Sequence, residues 1–276
     1  MSNRNFTSRT EALITPSVLK RRYLHGVNTK DDDGKELSNQ TLSELINNAV
    51  GWLEEELDIP IRPLVFSEAN ENQEWHDYRN VDTYWNWNFI RLDVYPVLSV
   101  ESVKVKFPTH QDLIEYPVSW FRVEEDTGIL RLVPDSGSVP LVLTNTGVLL
   151  PHLALQRRLI PQMLQIEYTA GFELDKIPVL LNNIIGLRAA IDVLNIAGDL
   201  ITGAGIASQS IGLDGLSQSI ATTSSATNAG YGARIIQYES QLYGGSGGGF
   251  GGGGGKKPGL LQKAKDNYKG IRIDVI

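Results

Sequence analysis

The sequence predicts an α+β fold: N-terminal helices, an antiparallel β domain inserted before a long apolar helix, and an extended irregular C-terminal arm. Three observations carry that prediction. Leu42, Leu45, Ile46, Ala49, Val50, Leu53 and Leu57 recur at three-and-four spacing, the period of one helix face. Between positions 89 and 107 the period falls to two, as on a half-buried strand. Positions 165–178, QIEYTAGFELDKIP, then read as a strand, a glycine turn and a helix opened by proline, with an apolar run to Ile201 directly behind.

A first short helix is expected over 17–24, with Thr15 as cap, Pro16 at the first helical position and Gly26 as its stop. The second starts near Ser38 or Thr41, where TLSE at 41–44 has capping-box form, and Pro60 bounds it. Strands are expected at 89–95, 100–107, 120–124, 128–133, 139–144 and 163–169, separated by turns at 126–128 and 134–137. In the last strand Leu164, Ile166 and Tyr168 share one face. Several short strands of this kind imply a small sandwich or a curled antiparallel sheet.

Asp175 is the expected cap and Pro178 the expected first residue of the long helix. From Val179 the segment is apolar around most of its circumference, interrupted by Asn182, Asn183, Arg188, Asp192, Asn195 and Asp199. Those six polar residues argue against a membrane span. At ~1.5 Å per residue the helix runs about 34 Å and must be covered on several sides, by its own domain or by another subunit.

Beyond Leu200 the composition turns to Gly, Ala, Ser and Thr as far as Gly230. Tyr231, Ile235, Tyr238 and Leu242 fall at helical spacing. A glycine run at 244–255 predicts a linker, and after it Leu260, Leu261, Ala264 and Tyr268 precede an alternating end, Ile271, Ile273 and Val275. The organisation expected is therefore an N-terminal helical segment (1–63), a β domain (64–177), a packed helix (178–201), an arm with a short amphipathic helix (202–243), the linker (244–255) and a docking tail (256–276).

The 276 residues are 41% hydrophobic, enough for a sizeable core. Cysteine is absent, which excludes disulfides, thiolate metal sites and a cysteine nucleophile and fits folding in a reducing cytoplasm. The first sixteen residues lack a continuous apolar core for a signal peptide. A net charge of −7 disfavours a coat on nucleic acid, which calls for a basic face.

No catalytic, cofactor or metal site emerges from spacing. The glycine run lacks the Gly-Lys-Ser/Thr ending of a phosphate loop. Asp31, Asp32, Asp33 and Gly34 begin like a calcium loop, but Leu42 stands where the bidentate glutamate belongs. His25, His76, His110 and His152 show no ligand spacing. The carboxylate pairs Glu54-Glu55 and Glu124-Glu125 lie in local charge runs. The aromatic cluster at 75–89, with Trp75, Trp85 and Trp87, reads first as sheet core or protein interface and alternatively as a carbohydrate-binding or adhesion surface.

Four stretches, taken in order, resemble a head-tail connector (adaptor or neck protein) of tailed bacteriophages. They are AVGWLEEELDIP at 49–60; LDVYPV at 92–97 with SVESV at 99–103; IEYTAGF at 166–172 with Ile177-Pro178; and SIGLDGLSQS at 210–219 with GARI at 232–235. The resemblance implies a non-enzymatic virion protein made in the host cytoplasm. It implies a closed homo-oligomeric ring, on the order of twelve copies, between the portal and the tail or neck proteins, through which DNA passes without specific binding. It implies no cofactor and no membrane. On that reading the candidate interface residues are Tyr231, Ile235, Tyr238, Leu242, Leu260, Leu261, Ile271, Ile273 and Val275. The long helix is expected in the ring wall, the alternating end adding as a strand to a neighbour. Removal of 256–276 is expected to spare the fold and weaken assembly.

Overall fold

The computed structural model describes residues 9–30, 34–79, 89–107, 111–133, 159–202, 208–213, 216–221, 231–245 and 258–268. In chain order the elements are β1 (Thr10–Glu11), α1 (Pro16–Arg22), α2 (Asn39–Leu57), β2 (Leu64–Phe66), β3 (Glu74–Arg79), β4 (Phe89–Arg91), β5 (Val97–Phe107), β6 (Gln111–Glu115), β7 (Phe121–Glu124), β8 (Ile129–Leu132), β9 (Leu159–Ala170), β10 (Ile177–Pro178), α3 (Val179–Thr202), β11 (Ser208–Leu213), β12 (Leu216–Ala221), α4 (Gly232–Tyr243) and α5 (Leu260–Tyr268). The α+β class holds. The chain forms two units, one of Met1–Asp58 with Asp175–Ile276 and one of Ile59–Leu174.

In the helical unit α1 begins at Pro16 and the turn behind it closes at Gly26, whose φ is +75°. Of the two starts considered for α2, Ser38 is the cap: its Oγ accepts the Thr41 N–H at 3.0 Å. The predicted stripe is buried at Leu42, Ile46, Ala49, Val50, Leu53 and Leu57. Asp58, left-handed at φ 57°, ends the helix two residues before Pro60.

The start of α3 differs from expectation. Pro178 is not its first residue and Asp175 does not cap it; Ile177 and Pro178 form a ladder with Glu11 and Thr10, and the Val179 N–H donates to the Arg9 carbonyl at 2.9 Å. Backbone from the N-terminus thus satisfies a helix donor that a side chain was expected to hold. Leu181, Ile184, Ile185, Ala189, Ala190, Val193, Leu194 and Ala197 are fully buried, and α3 packs against α1, α2, α4 and α5. It is long and apolar enough to cross a membrane, yet it is the core helix of its own unit.

Asn182 explains why a polar residue stands in that core. Its Oδ1 accepts the Ile14 N–H at 3.0 Å, and its Nδ2 donates to the Ala12 carbonyl and to Glu11 Oε1, both at 2.9 Å. Glu11 also receives both guanidinium nitrogens of Arg22 at 2.9 Å. β1 is thereby fixed to α1 and α3 together.

In the β unit β9 is central to an antiparallel sheet. β5 and then β6 lie on one side of it; β2 and β3 share the other, β2 opposite 168–170 and β3 opposite 159–166. A second sheet has the order β4-β8-β7. Val97, Val100, Val103 and Val105 of β5, Met163, Ile166, Tyr168 and Ala170 of β9, and Leu92, Tyr116, Trp120 and Leu130 form one core. Ile166 and Tyr168 are buried and Leu164 is half-buried, and Met163 and Gln165 are buried as well, so both faces of β9 are covered at that end of the strand. Ahead of that stretch the register with β3 shifts between His76 and Tyr78, opposite Gln162 at φ 49°. β2, β3 and β6 are too short or too polar to have been expected, and the strand predicted at 139–144 lies outside the described residues. Gly171 ends β9 at φ +109°, where a Cβ would come within 2.5 Å of the Arg62 carbonyl oxygen, so only glycine fits.

Replacing Asn182 with Ala leaves the buried Ile14 N–H without an acceptor, and urea unfolding should show a loss of about 2 kcal/mol. A second outcome concerns acid. Arg22 holds the Glu11 carboxyl below its ordinary value of 4.5 by hydrogen bonding, partly offset by burial. A folded pKa below the unfolded one stabilises above the unfolded value and is lost as pH falls through the folded value. Glu11→Gln should therefore lower the melting temperature at pH 7 and converge with the wild type in strong acid.

Candidate functional site

The C-terminal helices carry most of the interface residues expected from sequence, so their surroundings decide which surfaces remain for partners. On α4 the three-and-four spacing produces one buried face: Ile235, Tyr238 and Leu242 are buried, with Tyr231 half-buried just ahead of them. That face is turned inward. The Tyr231 hydroxyl accepts the Asn28 N–H at 2.9 Å, the Tyr238 hydroxyl donates to the Tyr23 carbonyl at 2.7 Å, and Arg234 donates to the His25 carbonyl at 3.0 Å. Tyr23 continues the chain of contacts, donating to Asn183 Oδ1 at 2.9 Å. Its ring lies where a Cβ on Gly186 would approach to 2.5 Å. Burial pushes the Tyr23 phenol up, which keeps it a donor.

Helix α5 is held in the same way. A Cβ on Gly259 would lie 2.3 Å from the Leu242 carbonyl oxygen at the end of α4. Leu261 and Ala264 are buried, Leu260 is half-buried, and Lys265 Nζ reaches Glu56 Oε2 at 2.5 Å. The expectation that 256–276 is dispensable for folding is therefore corrected: the segment contains a helix that covers α2, α3 and α4. Ile271, Ile273 and Val275 lie outside the described residues. What α4 presents outward is Ile236 and Tyr243, two turns apart and each about half exposed (55% and 52%), a side the spacing argument passed over because it looked only for the buried stripe.

In the β unit the exposed apolar side chains include Leu64 and Val65 on β2 and Val118. The β2 edge is blunted by its own chain, since Asn72 Nδ2 donates to the Val65 carbonyl at 2.8 Å. Trp75 on β3 is half-buried, with the Lys106 ammonium 5.9 Å from its ring centre. Trp85 and Trp87 lie outside the described residues.

Beside Trp75 is a polar cluster that sequence reasoning missed. The buried Glu74 carboxylate receives the Tyr168 hydroxyl, bonds to His76 Nε2, and accepts the Asp93 N–H at 2.9 Å. Tyr168 also accepts the Val94 N–H at 3.3 Å. Burial and the bond to Glu74 push the Tyr168 phenol far up, so it acts as a donor. Burial, reinforced by the Glu74 charge, also raises the Asp93 carboxyl. The arrangement ties β3 to β9 and to the connection ahead of β5. Alternating Glu-x-His in a strand next to a buried Tyr was the available signal.

Among the described residues no group of three His, Cys, Asp or Glu is placed to hold a metal ion. His25 is exposed. His110, His152 and Asp31 to Asp33 are outside the described residues. Glu124 bonds to Arg131 at 2.9 Å on the surface.

No family model matches the chain, and no curated protein matches it. Among solved structures, a chain in the virion of a native gene transfer agent particle aligns at 14% identity over 64% of this chain and 76% of its own, with a TM-score of 0.38. A chain in the neck of an empty gene transfer agent particle, computed with C6 symmetry, aligns at 15% identity over 57% and 69%, with a TM-score of 0.32.

Glu74→Gln replaces an acceptor of charge-assisted bonds with an amide that cannot accept all three donors. Tryptophan-monitored denaturation at pH 7 should report a loss of about 2–3 kcal/mol.

Proposed function

We propose that this chain is a structural, non-enzymatic virion protein of a phage-type neck, forming a homo-oligomeric ring that joins the portal of the head to the tail and lets DNA pass. One observation carries the reading: most of the stretches that resemble connector proteins reach joints of this fold, whereas 99–103 lies within β5 and 210–219 includes residues of β11 and β12. Positions 49–60 close α2 and lead through Asp58 into the β unit. Positions 92–97 lead into β5 with Leu92 and Val97 both buried. Positions 166–172 end β9 at Gly171, Ile177 and Pro178 precede α3, and 232–235 open α4. Joints tolerate little change because each combines a backbone constraint with a buried contact, so a family likeness concentrated there is a likeness of architecture.

The charge balance supports the same reading. A net charge of −7 gives no general attraction for phosphates, which suits a channel that DNA must slide through without adhering. A ring of this kind uses heterologous contacts that close, on the order of twelve copies. Its place is the virion neck, after synthesis in the host cytoplasm. The C-terminal helices contribute to the ring as part of each subunit's helical unit.

The test is a mass measurement of the purified full-length chain, alone and mixed with the portal ring of its own particle. A fixed stoichiometric complex with the portal is the expected result. A chain that stays monomeric and ignores the portal at every concentration tried would overturn the reading.

A further inference from the structure

The ribbon β11–β12 has features that the rest of the fold does not use. Its strands pair antiparallel, from Ser208 opposite Ala221 to Leu213 opposite Leu216, and among the described residues it has no third strand. A lone two-stranded ribbon is marginally stable in water. With two residues between the strands, the closing pair Leu213/Leu216 is hydrogen-bonded, and bonded and non-bonded pairs alternate from there. Ile211/Gln218 and Gln209/Ile220 therefore exchange their bonds within the ribbon. Ser208, Ser210 and Gly212 on one edge, and Ser217, Ser219 and Ala221 on the other, direct backbone N–H and C=O groups outward.

Both edges are open in the chemical sense. Their outward positions read Ser-x-Ser-x-Gly and Ser-x-Ser-x-Ala, with no Pro, charge or bulge in either strand, the devices that edge strands use to refuse partners. β2, by contrast, has its carbonyl covered by Asn72. The strands are also near-copies, since Ser-Gln-Ser-Ile occurs at 208–211 and again at 217–220. The charge distribution selects the occupant. Two chains of net charge −7 repel one another, but between positions 201 and 233 the only charged residue is Asp214, between the two strands in sequence. Two such ribbons brought edge to edge would set no like charges against each other within the strands.

We propose that the outer edge of β12 in one copy pairs antiparallel with the outer edge of β11 in the next, so that successive ribbons form one β belt. Each copy uses two different edges, which makes the contact heterologous and able to close on itself. This deepens the ring reading and rests on it.

The test uses the full-length chain in sedimentation velocity and native mass spectrometry. Ser210→Pro removes an outward donor from the β11 edge, and Ser219→Pro removes one from the β12 edge; neither position donates within the ribbon. The wild type should self-associate beyond a dimer, and each variant alone should associate about tenfold or more weakly. Mixed, the two should form 1:1 heterodimers and nothing larger, because only one compatible pair of edges remains. Ser210→Lys and Ser219→Lys, which keep every backbone donor, should weaken association in the same direction. Wild-type oligomers indifferent to all four substitutions would overturn the belt and leave the ring standing. A mixture without heterodimers would also overturn it. A wild type monomeric up to its solubility limit would overturn the belt, and one monomeric even with the portal would overturn the ring as well.

Discussion

Burial of α3 is the constraint on which the helical unit depends. A helix apolar around most of its circumference cannot be covered by one neighbour, and each fully buried Leu or Ile contributes about 1.5–3 kcal/mol relative to exposure. The cover comes from both ends of the chain: α1 and α2 from the N-terminal side, α4 and α5 from the C-terminal side. Closing that bundle brings the two ends of the chain into one unit, and the residues between Ile59 and Leu174 form a unit of their own.

Apolar burial alone would let those helices slide along α3, because the hydrophobic effect has no direction. Polar residues set the positions. Asn182 pairs with the Ile14 N–H and the Ala12 carbonyl just after β1, Asn183 receives Tyr23, and Gly186 makes room for the Tyr23 ring. Arg188 lies 5.4 Å from the Trp52 ring centre and 3.5 Å from Asp192, which links α3 to α2. Asn182, Asn183 and Arg188, three of the interruptions that argued against a membrane span, thus act as markers of register for the segments that cover the helix.

The β unit repeats this division of labour. Valines of β5 and the large side chains of β9 supply the core, and the Glu74 cluster fixes where β3 and the connection before β5 attach. Among the described residues, apolar side chains stay exposed in both units, Leu64, Val65 and Val118 in one and Ile236 and Tyr243 in the other. The exposed side chains of α4, and the β11–β12 ribbon with no third strand among the described residues, both lie in the segment after α3.

Much was legible in the sequence. Leu42 through Leu57 specified α2 because a 3.6-residue period over several turns has few alternatives, and 165–178 specified the strand, turn and helix because Gly171 and Pro178 restrict the backbone locally. The ribbon at 208–221 was also signalled, by Asp-Gly at 214–215 between matching Ser-Gln-Ser-Ile stretches, although small polar residues disguised it as an irregular arm. The destination of each apolar face was not legible. Periodicity showed that Ile235, Tyr238 and Leu242 must be covered, but a buried stripe has the same pattern whether its cover is another subunit or another part of the same chain. Only the tertiary structure decided that Tyr23 and α3 lie there, because that choice depends on contacts between residues some two hundred positions apart. The element types belonged to local backbone physics; the partner of each face, and the use of Pro178 as a strand residue paired with Thr10, belonged to long-range packing.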